Sequence, residues 1–148
     1  MSLPPLPAEA IQLGATAPDW RSAVRLAGEA LVRSGAATPA YGDEMIRMID
    51  EHGPYVVIAP GLALAHARPG PAVITDGLAI VTLATPVAFG HPHNDPVSVV
   101  LGLAIASARE HLAAVAALAN VFNDSDAIQA LAAATSAGEV QAIMGVTP

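Results

Sequence analysis

Two runs, Gly77 to Ala84 and Val97 to Ile105, are apolar almost from end to end, and they constrain the fold more than any other part of this sequence. A strand with one wet face alternates apolar and polar side chains; a run that does not alternate is buried on both faces. Both runs fall well short of the roughly 18 residues needed to span a bilayer. They therefore read as central strands of a sheet in a soluble protein, and something must cover each face of that sheet.

Helical segments on either side of the runs supply the cover. Asp19 stands where a helix N-cap belongs, Trp20, Val24, Ala27 and Leu31 repeat at helical spacing, and Gly35 follows the last turn. Thr38-Pro39 predicts a second cap with proline at the first helical position, opening a helix that carries Met45, Met48 and Ile49 and stops at Gly53. After the strands, Ser107-Ala108-Arg109-Glu110 has capping-box spacing, and Leu112, Val115, Leu118 and Val121 mark one helical face. A further helix is predicted from Ser125 to Ala133, and Ser136 to Glu139 is a second capping box leading a short last helix through Val140 and Ile143.

Three shorter strands complete the sheet. Ala10 to Leu13 reads as an edge strand, Tyr55 to Ile58 as a buried strand between Pro54 and Pro60, and Leu62 to Ala65 as a short strand or extended turn. The prediction is an α/β protein, a three-layer sandwich with about five strands and helices on both faces. With no internal repeat and no linker, residues 1–148 read as a single domain.

Composition narrows the function. Hydrophobic residues make up 53% of the chain and charged residues 13%, which is globular rather than disordered. The formal charge is −7, and the six basic residues, all arginine, form no cluster of the kind that neutralises phosphate backbones, so nucleic acid is not expected as a partner. The absence of cysteine excludes disulfides and thiolate chemistry. The N-terminus has no basic segment followed by an apolar one, hence no signal peptide is read and a cytoplasmic location, without insertion into a membrane, is expected.

Chemistry concentrates on histidine. His66 ends the apolar segment Leu62 to Ala65 where turn residues begin, with Pro60 and Pro69 stiffening its flanks and Gly61 expected to allow close backbone approach. A free imidazole has a pKa of about 6.5 and offers an unprotonated ring nitrogen at neutral pH as nucleophile, base or metal ligand. His111 is expected in the first turn of the Ser107 helix, where free amides and the positive dipole end collect and an anion can bind. His91-Pro92-His93, continued by Asp95, puts alternate side chains on one side of an extended chain, but no further pair at ligand spacing completes a metal site. There is no Gly-x-Ser-x-Gly elbow, no P-loop, no dinucleotide glycine pattern and no HExxH helix, so neither a nucleotide nor another cofactor is expected. The carboxylates Asp43, Glu44, Asp50 and Glu51 read as a solvated face.

Taken together, Gly53-Pro54-Tyr55 through Pro60-Gly61 to His66-Ala67-Arg68-Pro69 resembles the phosphorylation segment of sugar phosphotransferase system (PTS) IIA components of the mannitol/fructose superfamily, and its two ends are most similar to the ascorbate-type branch. Phe89-Gly90 through Asn94-Asp95-Pro96-Val97, and Ala108-Arg109-Glu110-His111-Leu112, agree in order and spacing. The resemblance runs from about Ile11 to the C-terminus. It implies a mixed parallel and antiparallel sheet and a cytoplasmic phosphorelay for sugar uptake. A histidine phosphocarrier protein (HPr) would phosphorylate the IIA histidine, which passes the group to a IIB domain coupled to the membrane IIC transporter.

By position, the resemblance makes His66 the phosphohistidine and His111 a second active-site histidine, and no metal or cofactor is required. Ala65 stands where many members have proline, and Asp50 lies near the place of an arginine in mannitol-type members, leaving Arg68 as the candidate phosphate-stabilising cation. Since donor and acceptor are both proteins, a shallow apolar surface is expected around His66. Two other readings are a regulatory nitrogen-type IIA module and a metal- or small-ligand-binding module using His91, His93 and His66. The oligomeric state is left open, a homodimer included.

Overall fold

The computed structural model of the protein describes residues 3–124 and 126–146. Its elements are β1 (Ile11–Ala15), α1 (Trp20–Arg33), α2 (Ala40–His52), β2 (Val57–Ala59), β3 (Leu62–His66), β4 (Gly77–Val87), β5 (Val97–Ala104), α3 (Ala108–Val121), α4 (Asp126–Ala133) and α5 (Ala137–Met144), with one 3-10 turn at Ala8–Ala10. The five strands form one sheet in the order β1-β4-β5-β3-β2. β1 is parallel to β4 and β3 to β5, whereas β4 and β5, and β2 and β3, pair antiparallel. The sheet is therefore mixed.

Both faces are covered, as the two apolar runs require. Leu78, Ile80, Leu101 and Leu103 are fully buried, and so are the residues alternating with them. A Cβ at Gly102 would lie 3.2 Å from Leu31 and 3.3 Å from Ala27 of α1, so α1 packs closely on the sheet at this glycine. Neighbouring residues of β5 point to the opposite face, which α4 and α5 cover with Ile128, Leu131, Val140 and Met144. α2 crosses α1 where Gly28 meets Gly42; a Cβ on Gly28 would lie 2.9 Å from the Gly42 Cα. The ion pairs Arg21–Asp50 and Arg25–Asp43 tie the same two helices together at the surface. The acidic residues read as a solvated face thus include two that bridge helices.

Several local expectations hold. Asp19 caps α1 by accepting from the Ser22 amide at 2.8 Å, and Ser107 and Ser136 accept from the Glu110 and Glu139 amides, each at 3.2 Å. Others need correction. Thr38 does not cap α2 with its side chain; its amide donates to the Ala72 carbonyl instead, and Pro39 takes the cap position. Tyr55 is not in a strand: the Val57 amide bonds the Pro54 carbonyl, so Tyr55 lies in a turn, 41% exposed, and β2 begins only at Val57. Leu112 does not face the core with Leu118 but is 72% exposed; Ala114 is buried instead. Gly61 serves a positive φ of 82° in the Pro60-Gly61 turn between β2 and β3, not a close approach, because a Cβ there would find ordinary contact distances. Ser125, the predicted start of a helix, lies outside the described residues, and α4 is described from Asp126.

Candidate functional site

Parallel pairing explains why two histidines far apart in sequence meet. His66, the last residue of β3, is registered opposite Leu103 near the end of β5, so both strands deliver their carboxyl ends to one edge of the sheet. Three residues after β5, Ser107 caps α3 and turns the chain back past that edge. The His66 and His111 rings lie 5.2 Å apart between centroids, with their planes at 50°.

His66 is half-buried, and its Nδ1 lies 2.9 Å from the Leu64 carbonyl oxygen. A carbonyl can only accept, so Nδ1 carries the proton and donates it, which leaves the lone pair on Nε2. The Tyr55 ring meets His66 edge-on at 5.8 Å, and His52 meets Tyr55 edge-on at 6.2 Å. Partial burial raises the Tyr55 phenol above its ordinary pKa, against a smaller opposing pull from the Arg68 charge.

His111 sits one turn into α3, where its amide bonds the Ser107 carbonyl at 3.0 Å. With Ser107 also holding the Glu110 amide, two helix-start amides are already engaged. Burial, and secondarily the neighbouring His66, lower the His111 pKa below the ordinary 6.5. Both effects favour the neutral ring, and its buried Nδ1 has no hydrogen-bond partner among the described residues. An orphaned lone pair is tolerated better than an orphaned N–H, so the proton belongs on Nε2. The root of the helix is fixed by Asp76, whose carboxylate accepts from the Ala106 amide at 2.9 Å and, through hydrogen bonding and charge, raises the Glu110 carboxyl pKa.

Beneath His66 lies Tyr41, from the first turn of α2 and 1% exposed. Its hydroxyl donates to the Leu103 carbonyl at 2.6 Å and accepts from the Ala67 amide at 3.1 Å. Burial pushes its pKa up to about 12.

His66, His111 and Arg68, the three residues singled out from the sequence, line one cleft of about 500 Å³, together with Met48, His52 and Tyr55. The cleft is open and mostly apolar, with exposed Leu112 at its edge. Sequence reasoning missed His52 and Tyr55 as lining residues; the sequence signal for Tyr55 was the Gly53-Pro54 pair, which bends the chain before it into a turn. Asp50 is paired with Arg21.

His91 and His93 do not join this cleft. The Nδ1 of His91 accepts from the His93 and Asn94 amides at 3.1 and 3.0 Å, and Asp95 accepts from the Phe89, Gly90 and His91 amides. Two of the groups considered for a metal are thus spent on shaping their own loop. Among the described residues, no group of three or more His, Cys, Asp or Glu side chains is placed to hold a metal ion.

The chain is similar to known proteins along nearly all of its length. Residues 5–145 match the family model described as phosphoenolpyruvate-dependent sugar phosphotransferase system, EIIA 2. The ascorbate-specific PTS system EIIA component of Escherichia coli (strain K12) is 35% identical over 133 residues, covering 89% of this chain and 86% of that protein. The mannitol enzyme IIA of Escherichia coli, solved in complex with phosphorylated mannitol enzyme IIB, superposes with a TM-score of 0.84 at 29% identity, covering 95% of this chain and 97% of that one. The nitrogen regulatory protein IIA-Ntr of Neisseria meningitidis gives a TM-score of 0.80 at 27% identity, covering 94% and 95%.

Proposed function

Because the chain belongs to the EIIA type 2 family of the phosphoenolpyruvate-dependent sugar phosphotransferase system, we propose that His66 is the residue on which it carries the phosphoryl group. The protein is a phosphocarrier of that system. One observation supports the choice of residue above all others: the Leu64 carbonyl holds the His66 proton on Nδ1, so the Nε2 lone pair is presented as the nucleophile.

The reaction needs little more than alignment and charge stabilisation. The Nε2 lone pair attacks the phosphorus of a phosphoimidazole on the donor. As the new N–P bond forms, the donor's P–N bond breaks and its electron pair returns to the donor ring. Positive charge that develops on the His66 ring is stabilised by the Leu64 carbonyl at Nδ1. The neutral His111 can donate Nε2–H to a phosphoryl oxygen, and Arg68, exposed at the cleft, can add a positive charge. Onward transfer repeats the displacement on the acceptor domain.

The donor we assign is HPr, and the acceptor is a IIB domain that serves a membrane IIC transporter. The open apolar rim of Met48, Tyr55 and Leu112 suits protein partners better than a small metabolite. No helix among the described residues is long and apolar enough to cross a membrane. This reading places the chain, acting as one domain, in the cytoplasm with its partners. Uptake of ascorbate or a closely related sugar acid is favoured over nitrogen-type regulation because the likeness to ascorbate EIIA reaches 35% identity against 27% for IIA-Ntr.

Incubation with phosphoenolpyruvate, enzyme I and HPr should add one acid-labile phosphoryl group. His66→Ala should abolish the mass gain, and His111→Ala should slow it by about 10²-fold, the usual cost of one charge-stabilising donor. No gain in the wild type, or an undiminished gain in His66→Ala, would overturn the assignment. Faster discharge by an ascorbate-type than by a mannitol-type IIB domain tests the transported class.

A further inference from the structure

We infer that Tyr41 is a positioning residue for phosphoryl transfer: its hydroxyl is inserted into the end of the β3–β5 ladder and sets the direction in which His66 presents Nε2. The inference rests on the reading of His66 as the acceptor.

The ladder between β3 and β5 is registered residue by residue from Leu62↔Val99 to His66↔Leu103, and there it stops. In a continued parallel ladder, the amide of the following residue, Ala67, is the group placed to seek a carbonyl on β5. Instead the Ala67 amide donates to the Tyr41 hydroxyl, and that hydroxyl donates to the Leu103 carbonyl. A hydroxyl has one proton to give and lone pairs to accept with, so both bonds form at once. The 2.6 Å bond to Leu103 takes the proton, in preference to the 3.4 Å contact with the Ala67 carbonyl.

The insertion has a mechanical consequence. A relay of two bonds through an oxygen is longer than one direct bond, so the chain after His66 is held away from β5 as it turns towards Arg68. His66 is the last residue of the strand, and its Nδ1 is anchored to Leu64 on the same strand. The angle at which the strand ends therefore decides where Nε2 points relative to His111. The same helix that carries Tyr41 also brings Met48 and His52 to the cleft wall, so one element sets both the nucleophile's footing and part of its surroundings. Tyr41 itself is 1% exposed and is absent from the cleft lining, so it acts through the backbone and touches no reacting atom.

Tyr41→Phe tests this because the ring still fills its site while the relay is lost. Its phosphorylation by HPr should show a kcat about tenfold lower with KM for HPr unchanged, since the docking rim is untouched. The imidazole ¹⁵N signals of His66 should also shift away from the pure Nδ1–H tautomer. A purely structural role would lower the melting temperature and leave kcat and the tautomer as in the wild type; that result overturns the inference. Met45→Leu, in the core of the same helix, serves as the stability control and should leave kcat unchanged.

If Tyr41→Phe does not fold, 3-fluorotyrosine placed at position 41 alone gives the second reading. The fluorinated hydroxyl is a weaker acceptor, so the Ala67 amide signal and kcat should both move; an unchanged kcat overturns the inference. The two proposals fail differently. Phosphorylation that never reaches His66 in the wild type removes the acceptor assignment, whereas normal labelling of His66 in Tyr41→Phe at the wild-type rate removes only the role of Tyr41.

Discussion

At the scale of single residues, the proposed function rests on three polar atoms whose states follow from their surroundings. The Leu64 carbonyl settles the His66 tautomer, the buried Nδ1 settles that of His111, and the Tyr41 hydroxyl ends the ladder. The lowered pKa of His111 gives a signed prediction. Below pH 6.5 the unfolded chain takes up a proton at this residue that the folded one refuses, so stability falls as the pH drops from 6.5 towards the depressed folded pKa and is fully retained above 6.5. Chemical denaturation of wild type and His111→Ala across this range should show a weaker pH dependence in the variant; equal slopes would show that His111 does not contribute. Phosphorylation of His66 should reverse the shift, because a phosphoryl dianion nearby favours imidazolium. A titration followed by NMR would read this as a rise in the His111 pKa. The two histidines were legible because each stands at a recognisable boundary, a strand end and a helix start. Tyr41 was not, since its role depends on Leu103, 62 residues away.

At the scale of elements, the sequence marks its helices by caps and its central strands by unbroken apolar runs, and the structure keeps the caps at Asp19, Ser107 and Ser136 and both central strands, but not the Thr38 cap or the strand start at Tyr55. What local signals could not carry is how elements approach one another. Gly28 and Gly42 look unremarkable within their helices, yet they define the α1–α2 crossing. Gly28→Ala should destabilise the protein by about 1–3 kcal/mol, because the added methyl meets backbone that cannot move aside. Thermal unfolding would check this; an unchanged melting temperature would mean that the helices separate at little cost. α3 offers a different test. Ser107→Ala removes its cap, which should cost about 1 kcal/mol. Because that cap also fixes the start of the helix carrying His111, phosphorylation of His66 should slow as well. The Leu112 periodicity misled for a related reason: on a helix at the edge of a site, apolar residues can serve the outside as well as the core.

Across the whole molecule, one sheet edge gathers the chemistry. Parallel β3 and β5 end side by side, α3 starts from the end of β5, and α2 closes the opposite wall, which leaves an open apolar cleft around one nucleophile. Such a surface suits the successive protein partners we propose. Leu112→Glu, at its edge and 72% exposed, should raise KM for the phosphoryl donor about tenfold with little change in stability, as steady-state kinetics and thermal unfolding together would show. The layer architecture was legible because a sheet apolar on both faces must be covered twice. Of the cleft only His66, His111 and Arg68 were legible, since its shape depends on the sheet order β5-β3-β2, which no local signal encodes. Whether Nε2 of His66 receives the phosphoryl group can be read by NMR of the ¹⁵N-histidine-labelled, enzymatically phosphorylated protein. ³¹P–¹⁵N coupling is expected at Nε2 of His66 alone, with Nδ1 still protonated; coupling at Nδ1, or at any other histidine, would refute the assignment.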